Sequence, residues 1–206
     1  MNIMRAAALV IASLFTIAAD TTSSAEEQNV SRSYEELFMG LPLPFAERAP
    51  SPNPGTIPAD TVKALYSNEV FFHLRNSFPK PVTDYLSPCL SKDLKEHFDN
   101  SRAEIDLWFE RHKNEKQQLK LPMSEGAIFV SCYDGATEFR LGTTTVKNDR
   151  ARVKVHLTYK EGEYSFEWVD IALLVKVDGK WLLEDIQFDP ARSPGATLRK
   201  RTKIDR

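Results

Sequence analysis

Cysteine is nearly missing from this chain: Cys89 and Cys132 are the two among 206 residues. So few thiols cannot build a disulfide-dense scaffold, and the fold must rest on an apolar core. Histidine is as scarce. His73, His97, His112 and His156 fall at no ligand spacing, and no H-x-H or H-E-x-x-H occurs, so no metal site is expected. No G-x-S-x-G is present and no glycine-rich loop opens a helix, which disfavours the common hydrolases and nucleotide enzymes and leaves no cofactor to expect. A net charge of -2 supplies no basic field for displacing counterions from phosphates, so nucleic acid is not an expected partner. Beyond residue 25 no apolar run approaches the roughly 18 residues of a spanning helix, so no integral membrane segment is expected after cleavage of a leader.

What is present begins with that leader. Met1 to Arg5 carries one positive charge, an apolar run follows over residues 6–19, and Ser23-Ser24-Ala25 places small side chains where a signal peptidase reads them. Residues 1–25 are therefore expected to be a signal peptide cut after Ala25, with Ala19 as the second choice, and the mature protein to be periplasmic or secreted. In an oxidising compartment Cys89 and Cys132 become candidates for a disulfide, which would stabilise the fold by about 4 kcal/mol on the chain-entropy view. The alternative is two separate buried thiols acting as small hydrophobes.

Apolar residues at 42% and charged residues at 27% describe one ordinary domain with appendages. Residues 26–57 read as a proline-rich arm, because Pro42, Pro44, Pro50, Pro52 and Pro54 forbid regular structure. Pro58 suits a first helical position, and apolar residues on two sides continue to Phe78, with Pro79 and Pro81 as terminators. Ser87-Pro88, or alternatively Ser91, caps a second helix in which Leu94, Phe98, Ile105, Trp108, Phe109 and His112 recur at helical spacing. After Pro122 the rhythm changes to alternation. Strands are predicted over 127–133, 138–147, 152–160, 164–177 and 180–188, with turns at Asn148-Asp149, Glu161-Gly162-Glu163 and Asp178-Gly179. The strand over 164–177 is apolar on both faces and is expected to be central. Residues 190–206 read as a loosely ordered basic tail, with Arg199, Lys200 and Arg201 either solvated or facing anionic lipid or an acidic partner.

Helices first and a meander afterwards make an α+β fold, a curved antiparallel sheet wrapped on N-terminal helices over residues 58–189. The run Tyr85-Leu86-Ser87-Pro88 before a helix, Tyr133-Asp134 before the meander and the closing Asp178-Gly179-Lys180-Trp181-Leu182-Leu183-Glu184-Asp185-Ile186 resemble the nuclear transport factor 2-like superfamily, and within it the exported bacterial domain of unknown function 3828. That resemblance implies a cone-like, cystatin-like sheet with a cavity, and no particular activity.

Within such a cavity Asp170 draws the eye, since it interrupts the apolar run Trp168-Val169-Asp170-Ile171-Ala172 and a desolvated carboxylate needs partners. Tyr66, His73, Tyr133, Asp134, Trp168 and Asp170 are the expected cavity residues. Asp170 would act as a general base with Tyr66, Tyr133 or His73 as donors, or face Arg152, Lys154 or solvent across the sheet. Asp134 lines the mouth or simply forms a turn. The expected function is a non-catalytic exported binding domain for a small apolar ligand or a protein surface. The alternatives are an immunity-type inhibitor that makes contact through its 26–57 arm, and a cavity isomerase or lyase using Asp170.

Overall fold

The structure, a computed structural model, describes residues 51–68, 71, 74, 75, 78–114 and 126–204. The leader, most of the proline-rich arm and His73 lie outside the described residues. No helix among the described residues is long and apolar enough to cross a membrane.

Helix α1 (Pro58–Tyr66) opens on the proline, whose missing N–H is no loss at that position, and buries Val62, Leu65 and Tyr66. It ends well before Phe78. By Leu74 and Arg75 the chain instead runs beside residues 127–128, where the Ile128 N–H donates to the Leu74 carbonyl at 2.9 Å. Phe71, Leu74 and Phe78, the members of the two-sided pattern that are described beyond α1, are all buried. Pro79 and Pro81 begin an element: helix α2 (Lys80–Leu86) starts at Pro79 with Pro81 in its first turn. A 3₁₀ turn (Ser87–Cys89) follows. Ser91 caps the long helix α3 (Lys92–His112), its hydroxyl accepting from the Leu94 N–H at 3.2 Å. Leu94, Phe98 and Ile105 form its buried stripe.

Residues 127–133 are not a strand. They form a bent segment with one bridge, Ala127 to Arg75, and the Ala127 N–H closes back on the Tyr133 carbonyl at 3.0 Å. Ala127, Ile128, Phe129 and Val130 are all buried, and an apolar run of this length serves a core-crossing loop as well as a strand.

The four remaining strands form an open antiparallel sheet in sequential order, so the fold is α+β as expected. They are β1 (Glu138–Lys147), β2 (Arg150–Glu161), β3 (Tyr164–Val177) and β4 (Lys180–Gln187). Positive φ at Asn148, Gly162, Asp178 and Gly179 gives the tight turns their twist. Register then sorts the faces. Val155 pairs with Asp170 and Leu157 with Trp168 on the inner face, while Lys154 pairs with Ile171 and His156 with Val169 on the outer face. Tyr66, Phe71 and Phe129 fill the space against the inner face, Phe71 stacking on Phe129 with ring centroids 4.1 Å apart.

The free edge of β4 is covered in three places. The Trp181 N–H donates to the Gly55 carbonyl at 3.1 Å, Leu90 bridges Leu183, and Thr197 bridges Gln187. β1 is the opposite edge, and among the described residues no bridge reaches its outer side.

The C-terminal segment is not loose. Helix α4 (Leu198–Arg201) docks with Leu198, Thr202 and Ile204 buried. Arg201, expected to be solvated or to face a partner, donates to the carbonyls of Ala127, Val130 and Ser131 and lies 4.0 Å over the Phe188 ring. The cause is the bent segment: its carbonyls have no ladder partner, and a guanidinium supplies the donors that burial demands.

Candidate functional site

Asp170 is fully buried, and neither Arg152, Lys154 nor solvent faces it. Its Oδ1 accepts from the Ser131 hydroxyl at 2.6 Å and the Asp189 N–H at 2.8 Å, and its Oδ2 accepts from the Ser131 N–H at 2.9 Å. Burial pushes the carboxyl above its ordinary value, and these donors pull it part of the way back. The buried Trp168 indole N–H also favours the charged form, although its geometry falls short of a hydrogen bond. Tyr66 lies close enough for Asp170 to matter: burial first, and the Asp170 charge second, raise its phenol well above the ordinary range. Tyr66, Trp168 and Asp170 are therefore brought together. Tyr133 is 57% exposed on the turn, and Asp134 beside it forms an exposed pair with Arg75 at 3.9 Å.

Cys89 and Cys132 are free thiols, which corrects the expected disulfide. Cys89 sits in the 3₁₀ turn packed on β4 next to the Leu90–Leu183 bridge, whereas Cys132 follows Ser131, which is tied to Asp170 in β3. Burial pushes the Cys89 thiol up to about 12, so it is an inert core residue.

From the inner face the Asp170 carboxylate also anchors the Asp189 N–H, where a tight turn starts after β4. Within that turn the N–H groups of Arg192 and Ser193 both donate to the Asp189 carbonyl, at 2.9 and 2.8 Å. The Phe188 N–H donates to the Ala196 carbonyl at 3.0 Å and closes the loop. Pro190, Ala191 and Arg192 then stand as a wall over the outer face of β2 and β3. Together with Lys154, His156, Val169 and Ile171 they line a groove of about 370 Å³. Ile171 is 8% exposed there, on a face whose strand neighbours are charged.

Trp168, an expected cavity residue, also lines the groove, whose other lining residues sequence reasoning missed; their signal was the two-sided apolar character of β3. Val169 and Ile171 on the outer face required a cover, and the cover is the turn that reads as a loose tail. Among the described residues no three His, Cys, Asp or Glu side chains gather as a metal site would require.

No family model matches the chain, and no curated protein matches it. A solved structure that does match is a SEC-C motif containing protein from Rhodopseudomonas palustris, at 14% identity and a TM-score of 0.36, covering 70% of this chain and 86% of that one. Likeness at that level carries no inference about fold or function. The expected membership of the nuclear transport factor 2-like superfamily and of domain of unknown function 3828 is corrected by these findings, which return no member of either. The physical reason is that the quoted motifs are generic. Ser87-Pro88 belongs to the 3₁₀ turn and Ser91 is the helix cap, while a tryptophan after Asp-Gly is what any packed hairpin strand can carry. The expected leader lies outside the described residues, and the comparisons return no evidence of a signal peptide or of a periplasmic home.

Proposed function

We propose that the protein is a non-catalytic binding domain whose ligand lies in the outer groove between β2, β3 and the 189–192 turn. The observation that carries this reading is the pair Val169 and Ile171, apolar side chains on a charged face, roofed by a turn that leaves about 370 Å³ open beside them. That volume falls in the range of small-molecule sites, roughly 300–1,000 Å³. The sheet curls around its helices in this reading, as the irregularities at Leu141/Thr144 and Leu173/Leu174 favour, and the ligand sits outside the wrap. A role for Asp170 as general base is disfavoured by its full burial and its three donors, which take three of the four lone-pair sites of the carboxylate.

A neutral apolar dye, Nile red, tests the site. Its fluorescence is expected to rise with the wild-type protein and to stay flat with Ile171→Glu, read under conditions where circular dichroism shows the variant folded. Equal enhancement by the variant, or none by the wild type, would remove the reading.

A second reading, a protein-interaction module, is favoured by an aromatic row at the β2–β3 end. There Tyr159 and Tyr164 lie 5.7 Å from the Phe166 ring, and Tyr164 is 61% exposed. Large exposed aromatics in a row are typical of contact surfaces. A Tyr159→Ser/Tyr164→Ser variant that keeps Nile red binding but loses a co-purifying protein would select it.

A further inference from the structure

We propose that the groove takes a small anionic amphiphile, its negative head held by Lys154 and Arg140 and its apolar body laid on Val169 and Ile171. The inference rests on the groove being a ligand site and adds the chemistry of the ligand. The floor and wall are apolar where Val169, Ile171, Pro190 and Ala191 meet, which suits a hydrocarbon body. The rim is cationic. Lys154 and Arg192 line it, and Arg140 stands next to it as the cross-strand partner of His156.

The acidic groups nearby do not cancel that charge. Asp189 is the carboxylate in the lining; its side chain is 11% exposed and engages Arg192 at 3.4 Å, so it offsets one cation and leaves Lys154 and Arg140. Glu167 lies one row away, opposite Thr158. Arg152, on the same face, is turned to Gln187 at 2.8 Å. The imidazole of His156 registers the resulting field: its proton affinity is lowered by partial burial first, then by Arg140 and Lys154, with Glu167 opposing them. An anion therefore gains favourable interactions with the two remaining cations, Lys154 and Arg140. The worth of such pairs, converted to affinity, is about tenfold between a charged head and a neutral one.

The wall also limits what fits. A turn closed on itself by the Phe188 to Ala196 hydrogen bond stands over one side of the groove, which suits a compact ligand better than a flat protein surface.

Three probes with one tail separate the possibilities in calorimetric titrations of the full chain below their micelle concentrations: decanoate, decan-1-ol and decylamine. Decanoate is expected to bind, decanol about tenfold more weakly, and decylamine not measurably. Lys154→Glu combined with Arg140→Glu is expected to reverse the order of decanoate and decylamine without moving the unfolding midpoint. If all three bind equally and Ile171→Glu abolishes them together, the groove is a ligand site and the anionic head is wrong. If none binds while Nile red still does, the amphiphile is likewise wrong. If neither binds, the site itself fails and the inference falls with it. Binding of an octaglutamate peptide as tight as that of decanoate would overturn the amphiphile in favour of an acidic protein.

Discussion

Replacing Asp170 by asparagine isolates the role of one buried charge. The amide oxygen can stand in for Oδ1 and keep the Ser131 hydroxyl and the Asp189 N–H, which donate at 2.6 and 2.8 Å. The amide NH₂ then faces the Ser131 N–H, which donates to Oδ2 at 2.9 Å in the wild type, so one buried donor meets another. Losing one hydrogen bond to a charged group and leaving the donor unsatisfied costs roughly 1.5–3 kcal/mol, and removal of the desolvated charge returns part of it. The expected net loss is about 2 kcal/mol, or a fall in Tm of about 6 °C for a domain of this size. Asp170→Ala abandons all three donors and is expected to lose about 4 kcal/mol.

Urea unfolding followed by tryptophan fluorescence reads both variants, and the dependence on pH supplies a control. Because the folded carboxyl titrates above its ordinary value, the native state keeps a proton that the unfolded state has already released. Stability contributed by this group therefore falls as pH rises from the ordinary carboxylate value through the raised one, and it is flat above that. The wild-type minus Asp170→Asn difference should carry this slope. An asparagine variant as stable as the wild type at pH 7, with no difference in pH profile, would refute the claim that Asp170 is held by these donors.

Other outcomes follow from the same structure. Arg201→Met keeps the stem on Phe188 but strands the carbonyls of Ala127, Val130 and Ser131, and is expected to lower stability by about 2–3 kcal/mol in urea unfolding, with proteolysis beginning at the C-terminus. Thiol titration of purified protein should count two free thiols in denaturant, with Cys132 reacting before unfolding and Cys89 only after it; an unfolding midpoint that drops on adding reductant would argue against this pairing state. His97, whose Nε2 meets the Thr202 hydroxyl at 2.9 Å, is lowered by burial and then by Arg199. Its unfolded form gains a proton below its ordinary value while the folded form does not, so stability should decline as pH falls from that value toward the lowered one. His97→Gln should flatten the decline, as measured by urea midpoints.

The sheet was legible because each strand carries its own announcement. Alternation in Val153, Val155 and Leu157 and the turn residues Asn148, Gly162 and Asp178-Gly179 specify face and register locally. The 127–133 segment was illegible for the opposite reason. Its apolar content reports burial, which a strand and a core-crossing loop share, and the choice between them is made by Leu74 and Arg201, respectively more than 50 and 70 residues away. The same distance hid the groove. Nothing near Val169 and Ile171 says that residues 189–192 will cover them, and the charge of Arg199, Lys200 and Arg201 concealed that one of the three is half-buried on the carbonyls of the bent segment. Asp170 was visible as an anomaly, but its donors are backbone and hydroxyl groups that no side-chain pattern reveals.

The unequal rims of the sheet set a limit on how copies of the chain could join through backbone pairing. Among the described residues one margin is sealed by Gly55, Leu90 and Thr197 and β1 is the margin left to add to, so two molecules joined there would zip together once, related by a two-fold axis, and these residues would offer a third no further open margin. Growth into a filament by this route ends at the pair.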